Sequence, residues 1–448
     1  MSPHDRCGLL STVLPVCLLA LLVSSVRAQL PQVCQLAQRV GCAGSTCPTT
    51  ITSSMAVVPT AACPFAGEDQ NGVDAFAWNL FIALNWPAVA QTCQADTSQS
   101  ILNVHGNSGS VVVWETFAQD TTVFVPPVQQ PAAWCAQNAG KPKVLRQIAK
   151  ASPQVLPGVP AFGLGMDMMQ AIGGVLTDQH GRFVRYELLM NQTEYTYILS
   201  NTLWNKQGQA AFTGTITFPP GSIEIKAAWK VLSEAEIATQ RFYMSQATVY
   251  NNANGDPSPG KNPVTIGLVG LHIVFKDPNL HQLWATFEHV DNAPTGNTPE
   301  MTKAFSFYNP QCRPPVKCVP NFQTARQPYT ELDAQGTPLN APIQVVRTTA
   351  VASTDGSAPA FNTYYQGLLQ GSVWANYGLV SLQWQTGTAS AGTPTVLANT
   401  TIETFIQREA PLLLAGQAKP SSCIGCHKQA VTTAKQPADM SFLLGEAQ

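Results

Sequence analysis

Ser222-Ile-Glu-Ile-Lys-Ala-Ala-Trp-Lys-Val-Leu232 alternates with a period of two. Ile223, Ile225, Ala227, Trp229 and Val231 share one face, and Glu224, Lys226 and Lys230 share the other. Successive strand side chains point to opposite sides, so this is a strand with one apolar and one polar face. The next residues, Ser233-Glu-Ala-Glu236, set a serine three positions before a glutamate, a capping box that turns strand directly into helix. Upstream, Gly174 to Met190 predicts a hairpin turning at Asp178 to Gly181, with Val184, Tyr186, Leu188 and Met190 on one face and His180 in the turn. Asn191 followed by Glu194 predicts a second capping box and a helix to about Leu203. Downstream, Val264 to Phe275 is apolar on both faces, as a central strand is, and Gln282 to Val290 follows as its neighbour. Asp74 to Asn85, stopped by Pro87, predicts a buried helix, and Phe361 to Gln370 another. Shorter strands are expected at Val111 to Trp114, Leu379 to Trp384 and Thr395 to Phe405. The expected class is α+β, a mainly antiparallel sheet with several helices.

Near the end of the chain, Cys423-Ile-Gly-Cys426-His427 forms a C-x-x-C-H run, the attachment pattern of a covalent c-type haem. The chemistry needs this spacing because two thiols three positions apart add to the haem vinyl groups while the adjacent imidazole reaches the iron. Cys423 and Cys426 are the expected thioether anchors and His427 the proximal iron ligand of one haem c. A dithiol redox site would open a helix after a strand, and a zinc site would need a second close Cys or His pair; the sequence offers neither context. Only 21 residues follow His427. They cannot build a cytochrome domain of their own, so the porphyrin is expected to pack against the preceding α+β body.

The other end of the chain concerns compartment. Arg6 precedes an apolar run from Leu9 to Val23, and Val26-Arg27-Ala28 matches a signal-peptidase site. Fifteen residues interrupted by Pro15 fall short of the roughly 20 needed to span a bilayer, so an exported product beginning at Gln29 is expected, in a Gram-negative periplasm or secreted. Setting aside Cys7, Cys17 and the haem pair leaves Cys34, Cys42, Cys47, Cys63, Cys93, Cys135, Cys312 and Cys318, an even number that suits a disulfide framework. Cys312 and Cys318 are expected to close a local loop. The reading divides the chain into a signal peptide (1–28), a cysteine-rich part (29–140), an α+β core (141–410) and a haem-attachment segment (411–448), the last three forming one composite domain.

Charged residues are 11% of the chain and the formal net charge is -2, which provides no basic face for nucleic acid and no polybasic membrane anchor. No Gly-rich phosphate loop, G-x-S-x-G elbow or H-E-x-x-H zinc helix occurs. What remains open is the second axial ligand. Met440, thirteen residues beyond His427, is within reach of an extended chain, and its alternative role is packing a terminal helix. His289, in Phe287-Glu288-His289-Val290-Asp291, is the other candidate, with a structural histidine as its alternative. His272 falls in the central strand and reads as core, while Met166, Met168 and Met169 are candidates to line a haem face. An open sixth position is the third alternative.

Trp78-Asn-Leu-Phe-Ile-Ala-Leu-Asn-Trp-Pro87, Trp284-Ala-Thr-Phe-Glu-His-Val-Asp-Asn-Ala-Pro294 and Ser422-Cys-Ile-Gly-Cys-His427 resemble motifs of secreted bacterial monohaem cytochrome c family proteins, over nearly the whole mature chain. Phe218-Pro-Pro-Gly-Ser-Ile-Glu-Ile-Lys226, with the later C-x-x-C-H, Asp439 and Phe442, is more distantly similar to the β-rich hydroxylamine-oxidising cytochromes and their nitric-oxide-binding beta-type cytochrome c′ relatives. That resemblance implies a haem lying on a sheet with an open distal side. It assigns no crosslinking lysine, Lys226 and Lys230 being the only nearby ones. The expected function is electron transfer with a redox partner protein or a small-molecule donor or acceptor. The alternatives are a haem oxidoreductase or small-ligand binder with an open sixth position, where His289 or Glu288 would do acid–base work, and a relay subunit of a larger complex.

Overall fold

A computed structural model describes residues 50–60, 70–106, 109–135, 142–148, 174–252, 256, 258–260, 262–313, 318–323, 329–351, 357–385, 393–407 and 422–448. In chain order the elements are α1 (Gln70–Leu84), β1 (Ala88–Val89), β2 (Gln94–Ala95), β3 (Ala118–Gln119), α2 (Asp120–Val123), β4 (Lys143–Leu145), β5 (Arg185–Met190), α3 (Gln192–Ser200), α4 (Lys206–Ala211), β6 (Ile223–Val231), α5 (Glu234–Thr239), β7 (Met244–Val249), β8 (Val264–Asp277), β9 (His281–His289), α6 (Ser357–Leu368), β10 (Tyr377–Gln383) and α7 (Cys423–His427), with short 3-10 turns between. The expected signal peptide, Cys34, Cys42, Cys47, Cys63 and the three methionines 166, 168 and 169 lie outside the described residues.

Eight strands form one sheet in the order β10-β9-β8-β6-β5-β3, with β7 also on β8 and β4 on β7. Every pairing is antiparallel except β4 with β7, so the α+β, mainly antiparallel architecture is as the sequence predicts. The largely apolar β8 is the hub, paired with β6, β7 and β9. The hairpin turn also stands: Gly181 donates to Asp178 O and takes a φ of 75°, which glycine tolerates without strain.

One face of the sheet carries Ile225, Ala227, Ile273, Phe275, Leu283, Ala285, Phe287 and Leu379, and packs against α1 and α6 in the largest core cluster. Trp78 of α1 stacks on Tyr365 of α6 at 5.1 Å, and Phe81 stacks on Phe287 of β9 at 4.3 Å. Residues on both sides of position 140 contribute to this cluster. Cys93–Cys135 and Cys312–Cys318 are disulfides, the second being the local loop expected.

Three local expectations are corrected. Val111 to Trp114 is not a strand: Val112 makes a single bridge to Pro87, and Val113–Thr116 coils into a 3-10 turn that presents Trp114 to the core. Thr395 to Phe405 is not one either. The bridge of Thr393 to Trp384 precedes it, and the segment runs as a loop into the 3-10 turn Thr404–Ile406, as when Asn399 donates to Thr286 and Phe287 O. The Asn191 box closes only half-way. Asn191 caps Glu194 N–H, but Asn191's own N–H is taken by Ile223 O across the sheet, and the Glu194 carboxylate is buried elsewhere. On the charged face of β6, Glu224 and Lys230 are buried and Lys226 half-buried. Lys230 pairs with Asp178 at 3.4 Å and with Glu236, the capping-box residue of α5, at 2.5 Å.

Candidate haem-attachment site

The second face of the sheet supports the C-terminal segment. Met190, Glu224, Val274, Trp284 and Gln383 are successive register partners across β5, β6, β8, β9 and β10, and directly paired residues project to the same side. Residues 422–444 lie along this row. Gln383 Oε1 accepts from Ile424 N–H at 2.9 Å and from Ser422 Oγ at 3.2 Å. Trp284 lies 5.5 Å, ring to ring, from His427. Ser441 Oγ donates to Glu224 at 2.7 Å, and Met190 packs in one cluster with Leu443 and Leu444.

α7 is one short turn begun by Ser422, whose hydroxyl accepts from Gly425 N–H. It holds Cys423, Cys426 and His427 within a single turn, both thiols half-buried. After α7 the chain turns back through Asp439 and Met440, both in the left-handed region (φ 47° and 66°). That reversal brings Met440 O to 2.7 Å from His427 Nδ1. A carbonyl only accepts, so Nδ1 carries the proton and the lone pair of the neutral ring is on Nε2. A histidine that ligates a metal is oriented by this same bond from its other nitrogen to a backbone carbonyl. Phe442, 4.9 Å from the imidazole, and Trp284 flank the ring.

Asp439 anchors the reversal. Its carboxylate pairs with Lys276 Nζ at 3.0 Å and accepts Phe218 N–H at 2.8 Å, while Gln282 donates to its carbonyl at 2.6 Å. Phe218, at the start of the Phe218–Lys226 stretch, thus meets Asp439, and Phe442 lies three residues on beside His427. Below them is a buried acidic pocket. Burial, then Glu224 and Asp439, push the Glu194 carboxyl well up, and burial raises Glu224 to about 7.

The residues fit a covalent haem in their donor set: two thiols and an imidazole on one turn, the imidazole tautomer fixed for Nε2 ligation. A further sign is the Trp284 indole N–H, which is buried and has no hydrogen-bond acceptor, a donor suited to an oxygen of a bound group.

Of the two residues named as distal candidates, Met440 meets His427 Nδ1 through its carbonyl oxygen. His289 is buried five residues along β9 from Trp284, about 17 Å at strand spacing. Its ring stacks on Phe242 at 4.0 Å, Nδ1 accepts Asp291 N–H and Nε2 faces Arg241 O. Burial lowers its pKa to about 4. It is a neutral structural histidine. Glu288, on the opposite face of the strand, is bound by Arg347 and by Thr400 N–H and Oγ1. His272 is buried in β8 with Nε2 3.3 Å from Glu403. Lys226 sits over the Tyr186 ring at 5.8 Å, and Lys230 lies at the other end of β6.

No protein-family model, curated protein or solved structure matches this chain. Among the described residues, no helix is long and apolar enough to cross a membrane.

Proposed function

We propose that this chain is an exported c-type cytochrome that holds one haem c through thioethers to Cys423 and Cys426, with His427 as proximal iron ligand, and transfers electrons to or from a redox partner. The supporting observation is the His427 Nδ1–Met440 O bond on a turn that also carries both thiols. When bound, the haem would supply reversible one-electron chemistry at iron. The chain's own part is to fix the His427 tautomer, to enclose the ring between Trp284 and Phe442, and to hold the segment on the sheet through Gln383, Glu224 and the Lys276–Asp439 pair.

A second reading, small-ligand binding at an iron with an open sixth position, is favoured by one observation: both ring nitrogens of His289 are bonded to the main chain, about 17 Å along β9 from Trp284. The test is the spectrum of dithionite-reduced protein, produced with a haem-attachment system, before and after carbon monoxide. A covalent haem lost in Cys423→Ala and Cys426→Ala is expected, and covalent haem retained in both overturns the assignment. A large Soret shift with carbon monoxide selects ligand binding, and an unchanged low-spin spectrum selects electron transfer.

A further inference from the structure

Asp178, Lys230 and Glu236 converge from three places in the chain: the hairpin turn before β5, the end of β6, and α5. The meeting point is closed to solvent. The Asp178 side chain is 0% and that of Lys230 1% exposed, and the buried Phe307 ring lies 5.8 Å from the ammonium. The turn fixes the Asp178 carboxyl group, whose Oδ1 accepts the His180 and Arg182 main-chain N–H groups, each at 2.9 Å. Among the described residues, Asp178 Oδ2 has no hydrogen-bond partner, although Lys230 Nζ stands only 3.4 Å from it. Lys230 is thus beside the carboxyl group without being hydrogen-bonded to it. Its bond goes to Glu236 Oε1, while Glu236 Oε2 is held by the Ser233 N–H and hydroxyl.

A lysine nitrogen held this close to a carboxyl group, in a place water does not reach, is arranged for acyl transfer. The three groups divide the work. Burial alone would raise Glu236, but Lys230 and the Ser233 bonds outweigh it and hold the carboxyl low. Glu236 is therefore ionised and placed to take a proton from the ammonium it touches. Burial pushes Asp178 up against the pull of Lys230, which favours the neutral acid, the form an amine attacks. As its carbon becomes tetrahedral, the two N–H groups on Oδ1 stabilise the charge that develops there. The atoms balance within the site. Nζ–Cγ forms and Cγ–Oδ2 breaks; two of the three ammonium protons leave with Oδ2 as water, one of them by way of Glu236, and the third stays on the amide nitrogen. An ammonium and a carboxylate become an amide and water, which removes two charges from apolar surroundings where they are costly.

We propose that Lys230 and Asp178 join in an intramolecular isopeptide bond, with Glu236 carrying the proton, and that this bond ties the hairpin turn to β6. Until the amide forms, the ion pairs described above hold the three groups together. The bridge links positions 52 apart in the sequence (178 to 230) and, unlike a disulfide, is not opened by reductant. The test is peptide mass spectrometry of the folded full chain, reduced and digested with trypsin. A branched peptide is expected, joining the peptide that ends at Arg182 to residues 227–241 uncut at Lys230, and lighter by one water than the two linear peptides together. Glu236→Gln, checked for folding by near-ultraviolet circular dichroism, is expected to lower the yield of this peptide about tenfold or more. Only linear peptides from the folded wild-type chain overturn the proposal, a result that depends on no variant folding. A branched peptide at wild-type yield in folded Glu236→Gln overturns it as well.

Discussion

At the scale of single residues, type does not fix surroundings: His427 and His289 are both ring-flanked imidazoles, yet His427 meets a carbonyl through Nδ1 while His289 meets the backbone through both nitrogens. His289 carries a pH prediction. Its folded pKa, about 4, lies below the ordinary 6.5, so the folded state binds fewer protons than the unfolded chain between these values. The stability it lends is complete above about pH 6.5 and is lost as pH falls toward 4, up to about 3 kcal/mol. Urea denaturation at pH 7.5 and 4.5 is expected to show this loss, and His289→Gln to reduce it. The C-x-x-C-H residues stand out in the sequence because side-chain type and spacing are both written there. Met440's part does not, because a main-chain carbonyl has no signature in residue type, and Trp284 and Gln383 join the site only through strand register.

Among the elements, β6 shows how alternation is read and misread. Its period of two correctly separated the faces, but period does not say what covers the polar one. Here the cover is protein, and each charge is answered inside: Glu224 by Ser441, Lys230 by Asp178 and Glu236. The predicted capping box is therefore also half of a buried ion pair. Ser233→Ala, which removes only the cap, is expected to cost about 1 kcal/mol. Glu236→Ala also deprives buried Lys230 of its nearer carboxylate and is expected to cost about 3 kcal/mol, a difference measurable by chemical denaturation. Short strands were misplaced for a related reason. Val111 to Trp114 has strand composition, and what decided its shape was the pull of Trp114 into the core, a tertiary effect outside a local window.

For the whole molecule, three layers follow from the sheet's two faces: helices on the apolar side, sheet, and C-terminal segment on the polar side. Trp78 joins the first two through Tyr365, Phe81 and Phe287. Trp78→Ala is expected to cost about 3–5 kcal/mol in unfolding free energy, seen as a lower denaturation midpoint. The third layer is attached differently. Gln383 grips a serine hydroxyl and a main-chain amide and makes no use of the two thiols it holds in place. On the proposed function, closing this latch would be the same event in a bare chain and a loaded one, so closure and thioether formation would compete in time. A chain that shut early would have its sulfurs half-buried, and its yield of loaded product would then be set by timing. Gln383→Ala, which slows the closure, would trade a looser finished protein for a longer interval in which the sulfurs can react.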